Sequence, residues 1–201
     1  SLLNSLRAIN CRIRRRTSRR TRPSARPRRN GVDRPARPRR LLFICTGNVC
    51  RSLMAERMAV KLSGDRGLAV EARSCGIAAQ TYYKPPAEIA AALKPLGLTC
   101  EGHVAQLVSR ELLRWCDAAL AMTRQQREAV LDAYPEFSAK VFLLRRYAGL
   151  DDQDVADPIG QPQPVYDACR DQLHAALDRL IGPATVSNQL RMLPKDSRRR
   201  P

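Results

Sequence analysis

The apolar run Leu41-Leu42-Phe43-Ile44 leads without a break into Cys45-Thr46-Gly47-Asn48-Val49-Cys50-Arg51-Ser52, and a helix-like pattern follows at once. A strand, an anion-cradling loop and a helix N-terminus in that order leave a chain few folds to choose from. The residues between Cys45 and Arg51 are enough to curl the backbone so that its N–H groups converge on one tetrahedral anion. The helix dipole and the forked guanidinium of Arg51 add positive potential there. The same field would favour Cys45 as thiolate. Gly47 permits a tight or left-handed turn, and Asn48 is one of the few other residues that tolerates that conformation while its side chain ties the loop down. A nucleophile, a phosphate cradle and a bidentate cation so close together point to phosphoryl transfer through a cysteinyl-phosphate intermediate.

Beyond this loop, short apolar runs alternate with helical patterns, which predicts an α/β fold: a four-stranded parallel sheet flanked by helices, with the phosphate-binding loop after the first strand. Leu41 to Ile44 reads as the first strand, Leu68 to Ala72 as the second, Ala118 to Met122 as the third and Val141 to Leu144 as the fourth. Met54, Ala55, Met58 and Leu62 mark one face of a helix that ends near Gly64. Ile89, Leu93 and Leu96 form a second helical stripe stopped at Gly97, and Ser109 and Thr123 read as caps of two further helices. Val165, Cys169, Leu173, Leu177 and Ile181 outline a long final helix stopped by Gly182-Pro183.

Charge divides the chain. Residues 1–40 hold fifteen Arg and one acidic residue, whereas residues 41–190 hold sixteen basic and seventeen acidic ones, so the net +17 belongs almost wholly to the ends. The organisation expected is an Arg/Pro-rich disordered extension over 1–38, one domain over 39–183 and a flexible basic tail over 184–201. Four readings compete for the extension: a nucleic-acid or anionic-surface tether, an acid-poor transit peptide, a solvated tail without a role, and translation upstream of the true start. The last two are favoured, since the chain begins with Ser and Arg-Pro-Ser-Ala-Arg-Pro is compositionally like translated GC-rich sequence. No aromatic residue interrupts the arginines to stack on bases, so nucleic-acid contact is expected only nonspecifically. No run of eighteen apolar residues occurs, which excludes a membrane-spanning helix. Nothing in the sequence argues for a particular oligomeric state.

Cysteine admits more than one reading. Cys45 and Cys50 could be buried small hydrophobes, and Cys45, Cys50, Cys75 and His103 could form a zinc site, but no paired Cys-x-x-Cys spacing supports a metal. Seven cysteines, an odd number without regular spacing, point to a reducing cytoplasm rather than a disulfide framework.

The string CTGNVCRSLMAE, with Asp157-Pro158 far downstream, resembles the low-molecular-weight protein tyrosine phosphatase family in its bacterial form, which includes a protein arginine phosphatase branch. The resemblance covers the chain from Arg39 to Gly182. It implies Cys45 as nucleophile, Arg51 as the group that grips the phosphate and the transition state, and Thr46, Gly47, Asn48, Val49 and Cys50 as the phosphate-binding loop. It further implies Asp157 as general acid and then base, and His103 as a brace on Asn48; Asp154 is the fallback acid, though its favoured reading is a solvated loop charge. Cys50 would be a redox partner able to shield Cys45 in a reversible disulfide. Ser52 suits a hydroxyl donor to the Cys45 thiolate, and also a helix N-cap. No metal and no organic cofactor is implied, because the loop supplies the positive potential.

The substrate expected from the resemblance is a phosphoprotein. Val49 leans toward phosphotyrosine, because the arginine branch carries a threonine there; Ile159 leans away, because the tyrosine branch places aromatic residues after Asp-Pro. Tyr82 and Tyr83 are candidates for the wall of a phosphoaryl slot. Phosphotyrosine is preferred, with phosphoarginine as the alternative. Arsenate reduction is disfavoured because Thr123 to Tyr134 lacks the additional redox cysteines of the related enzymes. A non-catalytic phosphate-binding regulator is disfavoured by the intact set Cys45, Arg51, Ser52 and Asp157.

Overall fold

Every residue of Leu41-Leu42-Phe43-Ile44 is almost fully buried, which requires cover on both faces of the strand they form. In the computed structural model, which describes residues 38–182, that strand is β1 (Arg40–Cys45). It is one of the two inner strands of a parallel sheet ordered β2-β1-β3-β4, with β2 at Glu71–Gly76, β3 at Ala118–Ala121 and β4 at Val141–Leu143. Ile44 lies opposite Cys75 on one side and Ala121 on the other, and Ala121 lies opposite Leu143. Successive side chains leave opposite faces of a strand. Accordingly Leu41, Phe43 and Cys45 enter one core, whereas Leu42 and Ile44 enter another.

The first core is closed by α1 (Arg51–Asp65), α2 (Ala87–Leu93) and the long α6 (Gln163–Ile181), whose Tyr166, Leu173 and Leu177 are buried against Met54, Met58 and Leu93. The second lies under α3 (Arg110–Trp115) and α4 (Arg124–Ala133) through Leu112, Leu113 and Val130. A short α5 (Leu144–Tyr147) follows β4 directly, so Leu144 starts a helix instead of ending the strand. The expected caps are in place. Ser109 accepts the Leu112 N–H, and Thr123 forms a reciprocal capping box with Gln126.

One strand is displaced from its expected position. β2 begins at Glu71, not Leu68, because the apolar residues before it finish α1. The Ser63 hydroxyl donates to the Leu68 carbonyl while accepting the Val70 N–H, and Gly67 turns the chain at φ +62°. Leu68 and Val70 pack on the core from that turn. The ladder is carried by Glu-Ala-Arg-Ser-Cys-Gly, a sequence whose polarity does not announce a strand. The expected extension and tail lie, but for Pro38, outside the described residues. Among the described residues no helix is long and apolar enough to cross a membrane.

Candidate active site

The loop 45–52 leaves the C-terminal end of β1, where open parallel sheets place their ligands. Of the two residues able to take a left-handed conformation, it is Asn48 (φ +58°) that does so, the one non-glycine with positive φ among the described residues, and not Gly47. The Asn48 N–H donates to Cys45 Sγ at 3.3 Å. Its side-chain amide donates to Ser52 Oγ and Ser74 Oγ, both at 2.9 Å, and its Oδ1 accepts the Gln106 N–H at 3.0 Å. His103 Nε2 lies 2.6 Å from the Asn48 carbonyl. Asn48 is fully buried with each of these groups engaged, so the loop is fixed from within.

This network also sets the direction of the bond at sulfur. Ser52 Oγ, 3.0 Å from Cys45 Sγ, already accepts from Asn48, which leaves its proton free for the sulfur. Ser74 Oγ likewise accepts from Asn48 and donates to Glu56. Ser52 therefore acts inside the first turn of α1, not as its cap; the cap position is Cys50, which makes no side-chain capping bond. The first amides of α1 are thus uncapped beside the loop, as an anion site requires. The loop can approach β2 because Gly76 has no side chain. A Cβ there would stand 2.4 Å from the Thr46 carbonyl oxygen and 2.9 Å from the Asn48 nitrogen.

Arg51 is 3% exposed. It donates to the Val155 carbonyl at 2.9 Å and to Asp157 Oδ2 at 2.5 Å, while its Nε is buried with no protein partner. Asp157 Oδ1 also accepts the Ile159 N–H at 3.3 Å. Asp154 turns elsewhere: its carboxylate accepts the Arg124 N–H at the start of α4. A cavity of about 410 Å³ has Cys45 and Arg51 on its lining, with Val49, Tyr83, Asp157 and Ile159 along its walls.

Cys50 is buried beneath the loop. Burial first, and the Asp157 carboxylate after it, push its thiol far above the ordinary range. Cys169 on α6 is pushed up to about 12 by burial, which Arg51 offsets in part. All six described cysteines are free thiols. Cys45, Cys50, Cys75 and His103 do not gather as a metal site, and His103 is engaged with the loop carbonyl.

The structure thus brings Cys45, Ser52, Asn48, Arg51, Asp157 and His103 into one neighbourhood. Three residues of the network lie outside the sequence pattern: Ser74, Gln106 and Gln126, the last donating from Nε2 to Thr46 Oγ1 at 3.0 Å; Glu56, which accepts from Ser74, closes the CTGNVCRSLMAE string. Only Gln126 left a signal, as the third-position glutamine of a capping box.

The profile of the low molecular weight phosphotyrosine protein phosphatase family matches residues 40–192. A protein-arginine-phosphatase of Geobacillus stearothermophilus is 36% identical over 143 residues, which are 71% of this chain and 94% of that protein. Among solved structures, the low molecular weight protein tyrosine phosphatase of T. tengcongensis superposes with a TM-score of 0.68 at 36% identity, covering 71% of this chain and 97% of the other. The YwlE arginine phosphatase, as a cysteine-to-serine mutant with a phosphorylated active site serine, superposes with a TM-score of 0.70 at 31% identity, covering 75% and 99%. A thiol set in an anion-shaped loop, on a fold shared over nearly the whole length of such relatives, leads to one conclusion: this is a cysteine-dependent phosphatase, and the chain belongs to the low molecular weight phosphotyrosine protein phosphatase family.

Proposed function

We propose that the chain removes phosphate from phosphotyrosine on proteins, with Cys45 as nucleophile and Asp157 as proton donor. The observation that carries the mechanism is the placement of Cys45 Sγ between the Ser52 hydroxyl and the Asn48 N–H, on a cavity shared with Arg51 and Asp157. The thiolate attacks phosphorus in line. The equatorial oxygens are held by the loop amides and by Arg51, whose unpartnered Nε completes a fork for them. As the phosphoryl group takes its share of Arg51, the Asp157 carboxyl protonates the departing phenolic oxygen. As carboxylate it then activates the water that hydrolyses the cysteinyl phosphate. Ser52 stabilises the sulfur as it leaves. His103 holds the loop through the Asn48 carbonyl, and Cys50, protonated beneath the loop, is the partner for a protective disulfide under oxidation. The phosphorylated serine of the YwlE mutant supports a covalent step at the residue standing in the cysteine's place.

The walls favour an aryl substrate. Val49, which has no hydroxyl to offer a guanidinium, packs with Ala79 and Ala105, and Tyr83 and Ile159 supply apolar surface on the cavity. A second reading, phosphoarginine on proteins, is favoured by the name of the Geobacillus stearothermophilus relative. Phosphate release from matched phosphotyrosine and phosphoarginine peptides decides between them, with Cys45→Ser as control. Release from phosphotyrosine, lost in Cys45→Ser, is expected. Release chiefly from phosphoarginine moves the assignment to the second reading, and release that survives Cys45→Ser refutes the mechanism.

A further inference from the structure

The segment 77–86, which joins β2 to α2, is stiffer than its length suggests. The Tyr83 N–H donates to the Gln80 carbonyl at 2.9 Å and closes a turn, and the Tyr82 and Tyr83 rings meet edge to face at 5.0 Å. Pro85 and Pro86 follow, the latter extended at φ −66°, ψ 156°. A residue before proline is held out of the helical region, so the Lys84 backbone is restricted to an extended conformation. The turn presents Tyr83 and Lys84 together on the cavity that holds Cys45, with Ile159 on the same lining. Tyr82 (71% exposed) and Ile159 (52% exposed) add apolar surface around them.

Lys84 has no hydrogen bond or ion pair with any described residue. Exposed Arg110 and Arg124 are paired with carboxylates, and Lys84 differs from the exposed, unpaired Lys94 and Arg114 in standing on the lining of the cavity that holds Cys45. Arg51 and the loop amides already serve the phosphoryl group, which leaves Lys84 a charge on the exposed side of the same cavity. An ammonium on a flexible stem is suited to a carboxylate whose position varies from one peptide to the next.

We propose that Lys84 and the Tyr82–Tyr83 turn form a docking rim that selects phosphoproteins in which Asp or Glu flanks the phosphorylated residue. The proposal rests on the phosphatase reading of the site, and not on which phosphorylated residue enters it. The acidic side chain pairs with Lys84 while the peptide crosses the exposed ring of Tyr82.

The test is the ratio of kcat/KM for acid-flanked over neutral-flanked peptides, each made with phosphotyrosine and with phosphoarginine and offered to the full chain. The wild type prefers the acid-flanked peptide by about two- to fivefold, the scale of one exposed ion pair, mainly through KM. Added salt shrinks the preference. Lys84→Ala brings the ratio to about one, and Lys84→Glu takes it below one, so that acid-flanked peptides become the poorer substrates, an outcome that mere loss of folding does not produce. A ratio near one in the wild type overturns the docking rim, as does an unchanged ratio in both variants. Hydrolysis of neither kind of peptide overturns the phosphatase reading itself and the docking rim with it.

Discussion

Asn48 carries more of the site than any group that would touch the phosphorus. It holds a left-handed backbone, points its N–H at the nucleophile and joins Ser52, Ser74 and Gln106 through one buried amide. Asn48→Ala places a Cβ-bearing residue without side-chain hydrogen bonds at positive φ, and leaves buried donors and acceptors unmatched. The expected loss is about 2–3 kcal/mol of stability and about a hundredfold in kcat, since the loop amides no longer stand where the phosphoryl oxygens need them. Asn48→Gly removes the network but relieves the backbone, so it should be the more stable of the two and equally slow. Chemical denaturation and phosphatase kinetics on both variants separate these effects. If Asn48→Gly keeps wild-type kcat, the hydrogen-bonded hub is irrelevant to catalysis. The special backbone at this residue was legible in part: the Gly47-Asn48 pair signals a tight turn, but only the three-dimensional network selects the asparagine to carry the positive φ.

Among the secondary-structure elements, the inner strands β1 and β3 are registered at their starts by a single carboxylate. Asp117 accepts the Arg39 and Arg40 N–H groups at 2.9 and 3.0 Å and the Arg40 guanidinium at 2.9 Å. Burial alone would raise its pKa, but the bonds from the Arg40 side chain and the two amides outweigh it and hold the carboxyl below its ordinary value of 3.8. A depressed folded-state pKa stabilises the fold above the unfolded-state value, and that stabilisation is lost as pH falls through the folded-state value. Asp117→Asn should therefore cost about 1 kcal/mol at neutral pH, discounted for partial exposure, and the gap to wild type should close below about pH 4. Denaturant titrations across that range check the sign; a gap that widens on acidification contradicts it. Elements whose signals are local were readable in advance. The Thr123 cap and the Gly97 stop are two such, as is the apolar run of β1. β2 was not, because a strand made of Glu71, Ala72, Arg73 and Ser74 is defined by its pairing with Arg40–Phe43, while the apolar Leu68 and Val70 before it are spent on ending α1.

At the level of the whole molecule, the site exists only where distant stretches meet. Arg51 and Asp157 stand 106 residues apart in sequence, and the loop is buttressed by Ser74 and Gln106 from two further segments. This explains which parts of the site could be read from sequence. Cys45 to Ser52 are contiguous and self-announcing, and Asp157 needed the family resemblance. Ser74 and Gln106 are ordinary polar residues until folding places them beside Asn48. It also makes a bound anion a tie between segments, because phosphate must engage the loop and Arg51 together. A ligand that binds only the folded state stabilises it in proportion to the logarithm of its excess over Kd. Inorganic phosphate at about ten times Kd should therefore add about 1.4 kcal/mol and raise Tm by about 3–5 °C in a domain of this size. Arg51→Lys keeps the charge but not the fork, so at the same phosphate concentration its shift should nearly vanish, whereas Cys45→Ser, with the loop amides intact, should keep it. The comparison is discriminating because a chain of net charge +17 offers phosphate many weaker sites along its basic ends. An undiminished shift in Arg51→Lys would place the stabilising phosphate on those ends and not in the loop.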